Sequence, residues 1–279
     1  VELIREYFAT ARERYQIKLR RESGQPFPWS EDSIFREWRF CNVHREDDRT
    51  TVWFRENIRS RIPCDRHEQI VFATLAFRWF NRIETGERIK DLLVVRWDER
   101  VARKRLTGVS PVVTGAYIIH TYDGMSKLEG VLRCIREAHK RLPAIVERFD
   151  GTLRNAWSEL RALPYMGRFT AYEVVSDLRW TSLLRTAPDV DTWANAGPGC
   201  ARGLSRVVTG ELGHFAYGSD SSQETMLEVM QDILALSRQA IYWPPEWKRW
   251  EMREVEHWAC EFDKIERARA GERLKRRYP

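Results

Sequence analysis

Cysteine is scarce and scattered in this chain. Cys41, Cys64, Cys134, Cys200 and Cys260 are the five in 279 residues, with no C-x-x-C pair and no close Cys/His group. That spacing draws neither a zinc site nor an iron–sulfur framework, and no metal ligands are expected. In a reducing compartment all five are free thiols. Long apolar runs are also missing. The longest, such as Ile70–Phe77 and Val109–Ile119, stop short of the roughly 20 residues that a membrane helix needs. Val1–Lys18 is dotted with Arg and Glu and has no apolar centre, so no secretory leader is visible and a cytoplasmic location is expected. Period-two alternation is rare, and neither an internal repeat nor a low-complexity linker interrupts the chain. This excludes a sheet-built fold and leaves an all-α one. The P-loop pattern GxxxxGK[ST] is absent, which excludes a P-loop nucleotide site in this sequence.

What is present is charge and tryptophan. Lys and Arg number 47 against 41 Asp and Glu, a net charge of +6 that suits a polyanionic partner. Several of the 12 Trp adjoin an arginine: Trp38-Arg39, Arg78-Trp79, Arg96-Trp97, Arg179-Trp180 and Arg249-Trp250. Such pairs suit phosphate binding with base stacking, and equally a core rimmed by cations.

Apolar spacing of three and four predicts most elements. Leu3, Ile4, Tyr7, Phe8, Ala11 and Tyr15 mark a first helix, and Asp32-Ser33 caps a short element leading to Phe40. Thr50 or Thr51 opens a helix through Arg59, and His67–Arg82 is a strongly apolar one. Val94–Lys104 reads as helix, Gly115–Ile119 as strand or buried helix, and Ser126–Arg141 and Pro143–Phe149 as two successive helices. Thr152–Ala162, a tight turn and Arg168–Leu178 follow, then Thr225–Ala240 and Trp250–Arg269, with a basic, frayed tail over Arg273–Tyr278.

The turn Leu163-Pro164-Tyr165-Met166-Gly167 and the helix start Arg168-Phe169-Thr170-Ala171 are the most specific structural signal. Gly167 permits an unusual backbone angle, and the free amides entering the next helix attract a phosphate without reading sequence. Tyr165, Gly167, Arg168 and Thr170 are therefore the candidate DNA contacts. The pattern resembles the helix-hairpin-helix of base-excision DNA glycosylases, with Tyr165 where the first glycine usually sits. Downstream, Asp189-Val190-Asp191-Thr192 matches the context of their catalytic aspartate, which falls on Asp191. Either aspartate could instead cap a helix. Phe169 stands where lyase-type glycosylases carry a Schiff-base lysine, against amine catalysis at that position.

Two blocks fit a repair enzyme less well. Arg36–Arg59 gathers Arg39, Arg45, Arg49 and Arg55 around Asn42 and His44, with Glu46, Asp47 and Asp48 to aim them. Arginine forks of this kind grip multiply charged phosphates, unless the block is a solvated, salt-bridged surface. In Met252–Lys264, Glu256 and Asp263 are seven apart on one helical face, and His257 and Glu261 four apart on the next. An acid–base pair or a structural ion-pair ladder fits that spacing equally.

Within these blocks Glu37–Arg59 and the closing Glu256-His257 with Cys260-Glu261-Phe262-Asp263-Lys264, together with Thr114-Gly115-Ala116-Tyr117 and Gly197-Pro198-Gly199, resemble the α-glutamyl/putrescinyl-thymine pyrophosphorylase family, the amino acid:DNA transferases of bacteriophages. A related helical domain accompanies hydroxymethyluracil DNA kinases. The resemblance implies a glycosylase-like helical domain over 1–279, divisible into two lobes (about 1–62 with 190–279, and 63–189) around a central cleft. It also implies a transferase that displaces pyrophosphate from modified thymine in double-stranded DNA with an amino acid or polyamine, in a phage-infected host and linked to a hydroxymethyluracil DNA kinase. Under it Arg39, Asn42, Arg45, Arg49 and Arg55 hold pyrophosphate. Asp191, Glu256, His257 and Asp263 supply bases or orient the amine, and Cys41 or Cys200 could add transiently to the ring. No cofactor is implied beyond a divalent ion that could arrive with the pyrophosphate. A monofunctional glycosylase and a non-catalytic DNA-binding module remain the alternatives.

Overall fold

The computed structural model describes residues 2–278. Among them lie twelve α-helices: α1 (Glu2–Glu22), α2 (Ser33–Glu37), α3 (Arg49–Asn57), α4 (His67–Phe80), α5 (Ile83–Val94), α6 (Glu99–Leu106), α7 (Lys127–Val146), α8 (Leu153–Leu160), α9 (Arg168–Leu178), α10 (Pro198–Thr209), α11 (Asp220–Leu236) and α12 (Met252–Arg269). The described residues form no strand, only an isolated bridge between Trp38 and Arg277. The fold is all-α.

The chain divides into two compact units. One runs to Asp48 and resumes at Val190; the other is Arg49–Asp189. In the first, the apolar faces of α1 and α12 bury Tyr7, Phe8, Trp258 and Phe262 completely or nearly so. The Tyr7 ring meets Phe8 and Phe262 edge-on at 5.4 and 5.5 Å, and its hydroxyl donates to the Val255 carbonyl at 3.0 Å. Helix α10 lies so close to α12 that a Cβ on Gly203 would stand 1.9 Å from the Ala259 carbonyl oxygen. In the second unit α4 is the central helix. Ile70–Phe80 are all buried, as expected for a helix apolar on every side. Its one internal charge, Arg78, is matched by Asp177 of α9, with Nε–Oδ2 2.5 Å and Nη2–Oδ1 2.8 Å.

Several sequence expectations are corrected. Residues 127–146 form one helix, because Pro143 falls in the last turn, where losing one N–H costs little. Val94–Lys104 is not one helix: Asp98 caps α6 by accepting from the Val101 amide at 3.1 Å, which restarts the chain. Residues 115–119 are neither strand nor helix but part of the irregular segment 107–126. The tail is not frayed. Arg39 N–H donates to the Arg276 carbonyl, and Tyr278 packs against Phe27 and Trp29. The Arg–Trp pairs are largely core, since Trp38, Trp79 and Trp250 are buried; Trp180, with the Arg179 guanidinium 5.0 Å over its ring, is exposed.

Candidate functional site

In the Arg49–Asp189 unit the chain presents a helix start to solvent. Leu163 and Met166 are buried and pin the turn between α8 and α9, while Tyr165 and Gly167 face outward. The left-handed residue is Tyr165, at φ +58°, rather than Gly167, whose φ is −68°. The glycine conformation expected of the motif is thus kept at the motif's first-glycine position by a tyrosine, its ring held edge-on against Tyr122 at 4.7 Å. Gly167 has a different use. It is the N-cap of α9, with no side chain capping the helix, and a Cβ there would meet nothing within 4 Å. A ligand can approach the first turn of α9, where the leading amides of a helix have no carbonyl of their own helix to bond. Arg168 and Thr170, half-buried, sit in that first turn, and Arg161 covers the Trp157 ring at 4.5 Å. This unit carries 25 Lys and Arg against 17 Asp and Glu, a net +8, whereas the rest of the chain has 22 against 24, a net −2.

The other unit holds a polar knot built around one face of α12. Asn42 is its centre. The Asn42 N–H donates to Asp48 Oδ1 (2.8 Å), Nδ2 donates to the Asp47 carbonyl (2.6 Å), and Oδ1 accepts from Arg14 Nη2 (2.7 Å). The Asn42 carbonyl faces His257 Nε2 at 3.1 Å. A carbonyl only accepts, so Nε2 carries the proton and Nδ1 is bare. Burial, with Arg253 beside it, pushes His257 down to about 3, so the ring is neutral. Burial lifts Asp48 to about 6. One turn on, Glu261 accepts from the Cys41 N–H at 3.0 Å; burial opposes its charge, but the Lys264 ammonium and that N–H outweigh it and hold Glu261 near 2.

Cys41, Asp48 and His257 place one donor atom each within 4.8 Å of one another. They fit a cation poorly. His257 Nε2 is already committed to Asn42, and Arg14, Arg45, Arg253 and Lys264 all press positive charge on these groups. Burial raises the Cys41 and Cys200 thiols well above the ordinary value, which disfavours the thiolate that a nucleophile needs.

The candidate residues divide between the units. Arg39, Asn42, Arg45, Asp191, Glu256, His257 and Asp263 belong to one; Arg49, Arg55, Tyr165, Gly167, Arg168 and Thr170 belong to the other. Arg39 is exposed, 5.7 Å from the Tyr278 ring, and Arg45 is buried beside Asp48. Arg49 is exposed at the start of α3, and Arg55 lies 3.7 Å from Glu56. Asp191 is held by Arg249 and, at 3.4 Å, by Arg238. Glu256 pairs with Arg253, and Asp263, fully buried, is clamped by Arg202 and Arg206 at 2.8 and 3.1 Å. Asp189 caps α8, accepting from the Leu153 and Arg154 amides at 2.8 and 2.9 Å. The buried roles of Arg14, bonded to Asn42, and of Arg78, paired with Asp177, are ones the motifs did not indicate, although a charge inside an apolar helical stripe is the signal that marks each.

The family model described as "5-hmdU DNA kinase, helical domain" matches residues 1–275. A protein of Bacillus phage SP10 named "5-hmdU DNA kinase" is 26% identical over 300 residues, covering 96% of this chain and 45% of its own length. The chain thus spans less than half of that relative. No solved structure matches. These findings overturn the resemblance to the α-glutamyl/putrescinyl-thymine pyrophosphorylases: the kinase-associated helical domain, there only a relation, is the family that the blocks Glu37–Arg59 and Glu256–Lys264 belong to.

Proposed function

Since this chain belongs to the family of 5-hmdU DNA kinase helical domains, we propose that it is the DNA-engaging module of a system that acts on 5-hydroxymethyluracil in DNA. The observation that carries this reading is the open, uncapped start of α9 in a unit of net charge +8. Backbone amides and arginines there take phosphates of a duplex, which fixes position without reading sequence. Phosphoryl transfer to the hydroxymethyl group needs a nucleotide site, and with no GxxxxGK[ST] here a P-loop would come from another polypeptide segment. The groups singled out as catalysts favour binding over chemistry. Asp191, Glu256 and Asp263 are each tied to arginine, and His257 is neutral and bonded to backbone.

The test is fluorescence anisotropy with a duplex carrying 5-hydroxymethyluracil or thymine. Both duplexes should bind and, with three phosphates engaged, affinity should weaken roughly 40-fold between 50 and 200 mM salt. Arg168→Ala should weaken both duplexes alike and flatten that salt slope. Failure to bind either duplex would sink the proposal. In parallel, pyrophosphorylated 5-hydroxymethyluracil DNA is incubated with amino acids and polyamines. An amine-bearing nucleoside with released pyrophosphate would replace the binding reading by transferase, and free base would replace it by glycosylase.

A further inference from the structure

The segment 107–126 joins α6 to α7 without helix, yet it is pinned along its length. The Val112 carbonyl accepts from Thr85 Oγ1 (2.7 Å), and the Thr114 N–H donates to the Phe80 carbonyl (2.8 Å). The Tyr117 hydroxyl donates to the Arg78 carbonyl (2.9 Å), and its ring meets Phe169, the second residue of α9, at 5.0 Å. Ile119 is buried, and its carbonyl accepts from Lys127 Nζ (2.7 Å). Tyr122 rests on Tyr165 with the Arg133 guanidinium 3.9 Å from its ring centre. Between the anchored Tyr117 and Ile119 stands Ile118, 74% exposed, with exposed Gly115 and Ala116 just before it.

We infer that Ile118 is a wedge that enters the base stack of duplex DNA when the first turn of α9 holds the backbone. The inference rests on the DNA-binding reading above and deepens it. An isolated exposed aliphatic residue needs no explanation by itself. This one is β-branched, hence stiff at χ1, and its two chain neighbours are anchored, so it is held out at 74% exposure with few rotamers to choose from. It is one residue from a ring packed on the helix start that faces phosphate. The same segment carries Tyr122 under the Arg133 guanidinium, and the unit carries the chain's positive excess. A polyanion meets its charge complement on this unit, whose net charge is +8. Apolar side chains so presented slip between base steps, unstack them and kink the duplex.

The probe is 2-aminopurine placed beside 5-hydroxymethyluracil in a duplex, read at saturating protein with the 279-residue chain. Binding by the unaltered protein should raise fluorescence several-fold as the stack opens. Ile118→Ala should keep its affinity within about threefold, because phosphate contacts dominate binding, yet lose most of that rise. Ile118→Leu should restore it. Bound duplex without a rise for the unaltered protein, or an undiminished rise for Ile118→Ala, would overturn the wedge and leave DNA binding standing. No binding by any of the three would overturn the DNA reading itself, and the wedge with it.

Discussion

His257 shows how one buried ring sets a pH response. In the folded chain burial holds it near 3, against about 6.5 for a free imidazole, so it stays neutral while the unfolded chain takes up a proton. Its contribution to stability is complete above pH 6.5 and is lost as pH falls from there toward 3, at about 1.4 kcal/mol per pH unit. Asp48 runs the other way. Lifted to about 6, it is protonated first in the folded state and adds stability between pH 6 and 3.8. The two slopes oppose each other in the native protein, and a variant separates them. The stability advantage of native over His257→Gln in urea melts should shrink from pH 7 to pH 4.5; a constant gap would refute the neutral ring. The Arg78–Asp177 pair gives a sharper loss. With Asp177 fully buried, Asp177→Asn leaves the guanidinium without its counter-charge and should cost about 3–5 kcal/mol.

Elements were legible where the apolar period was strong and the cap was a side chain. Helix α9 has the expected bounds, and Asp32 caps α2 as read. Boundaries failed where tertiary packing decided them. Pro143 does not stop α7, and the chain between α6 and α7 is apolar because it is anchored, not because it is strand. The site was legible only in part. The α8–α9 turn follows from Leu163–Gly167, but which residue is left-handed did not, because that conformation is uncommon for a tyrosine, and the Tyr122 ring that Tyr165 meets here is far away in sequence. Ion pairing of Asp191, Glu256 and Asp263 could not be read either, since partners such as Arg249 and Arg202 are distant in sequence. The α10–α12 contact supplies its own prediction. Gly203→Ala drives a Cβ into a backbone carbonyl that cannot rotate away, and should cost about 3 kcal/mol, visible as a lowered Tm.

Across the whole molecule the informative quantity is how charge is divided, more than its total. The sum of +6 hides +8 on Arg49–Asp189 and −2 on the remainder. Polyanion affinity should therefore respond to substitutions in one unit and be nearly indifferent in the other. Arg161→Ala and Arg168→Ala should each reduce the retention of the chain on heparin, while Arg269→Ala, whose partners are Glu6, Asp32 and Glu266, should not. The pinned segment 107–126 has a last consequence. It is the longest helix-free stretch among the described residues, yet its amides should exchange unevenly rather than uniformly fast as a disordered loop's would. Deuterium uptake should be slow at Thr114, whose N–H is bonded to Phe80, and quick around Gly115. The boundary between the two rates would then fall within a single peptide unit, just ahead of Ile118.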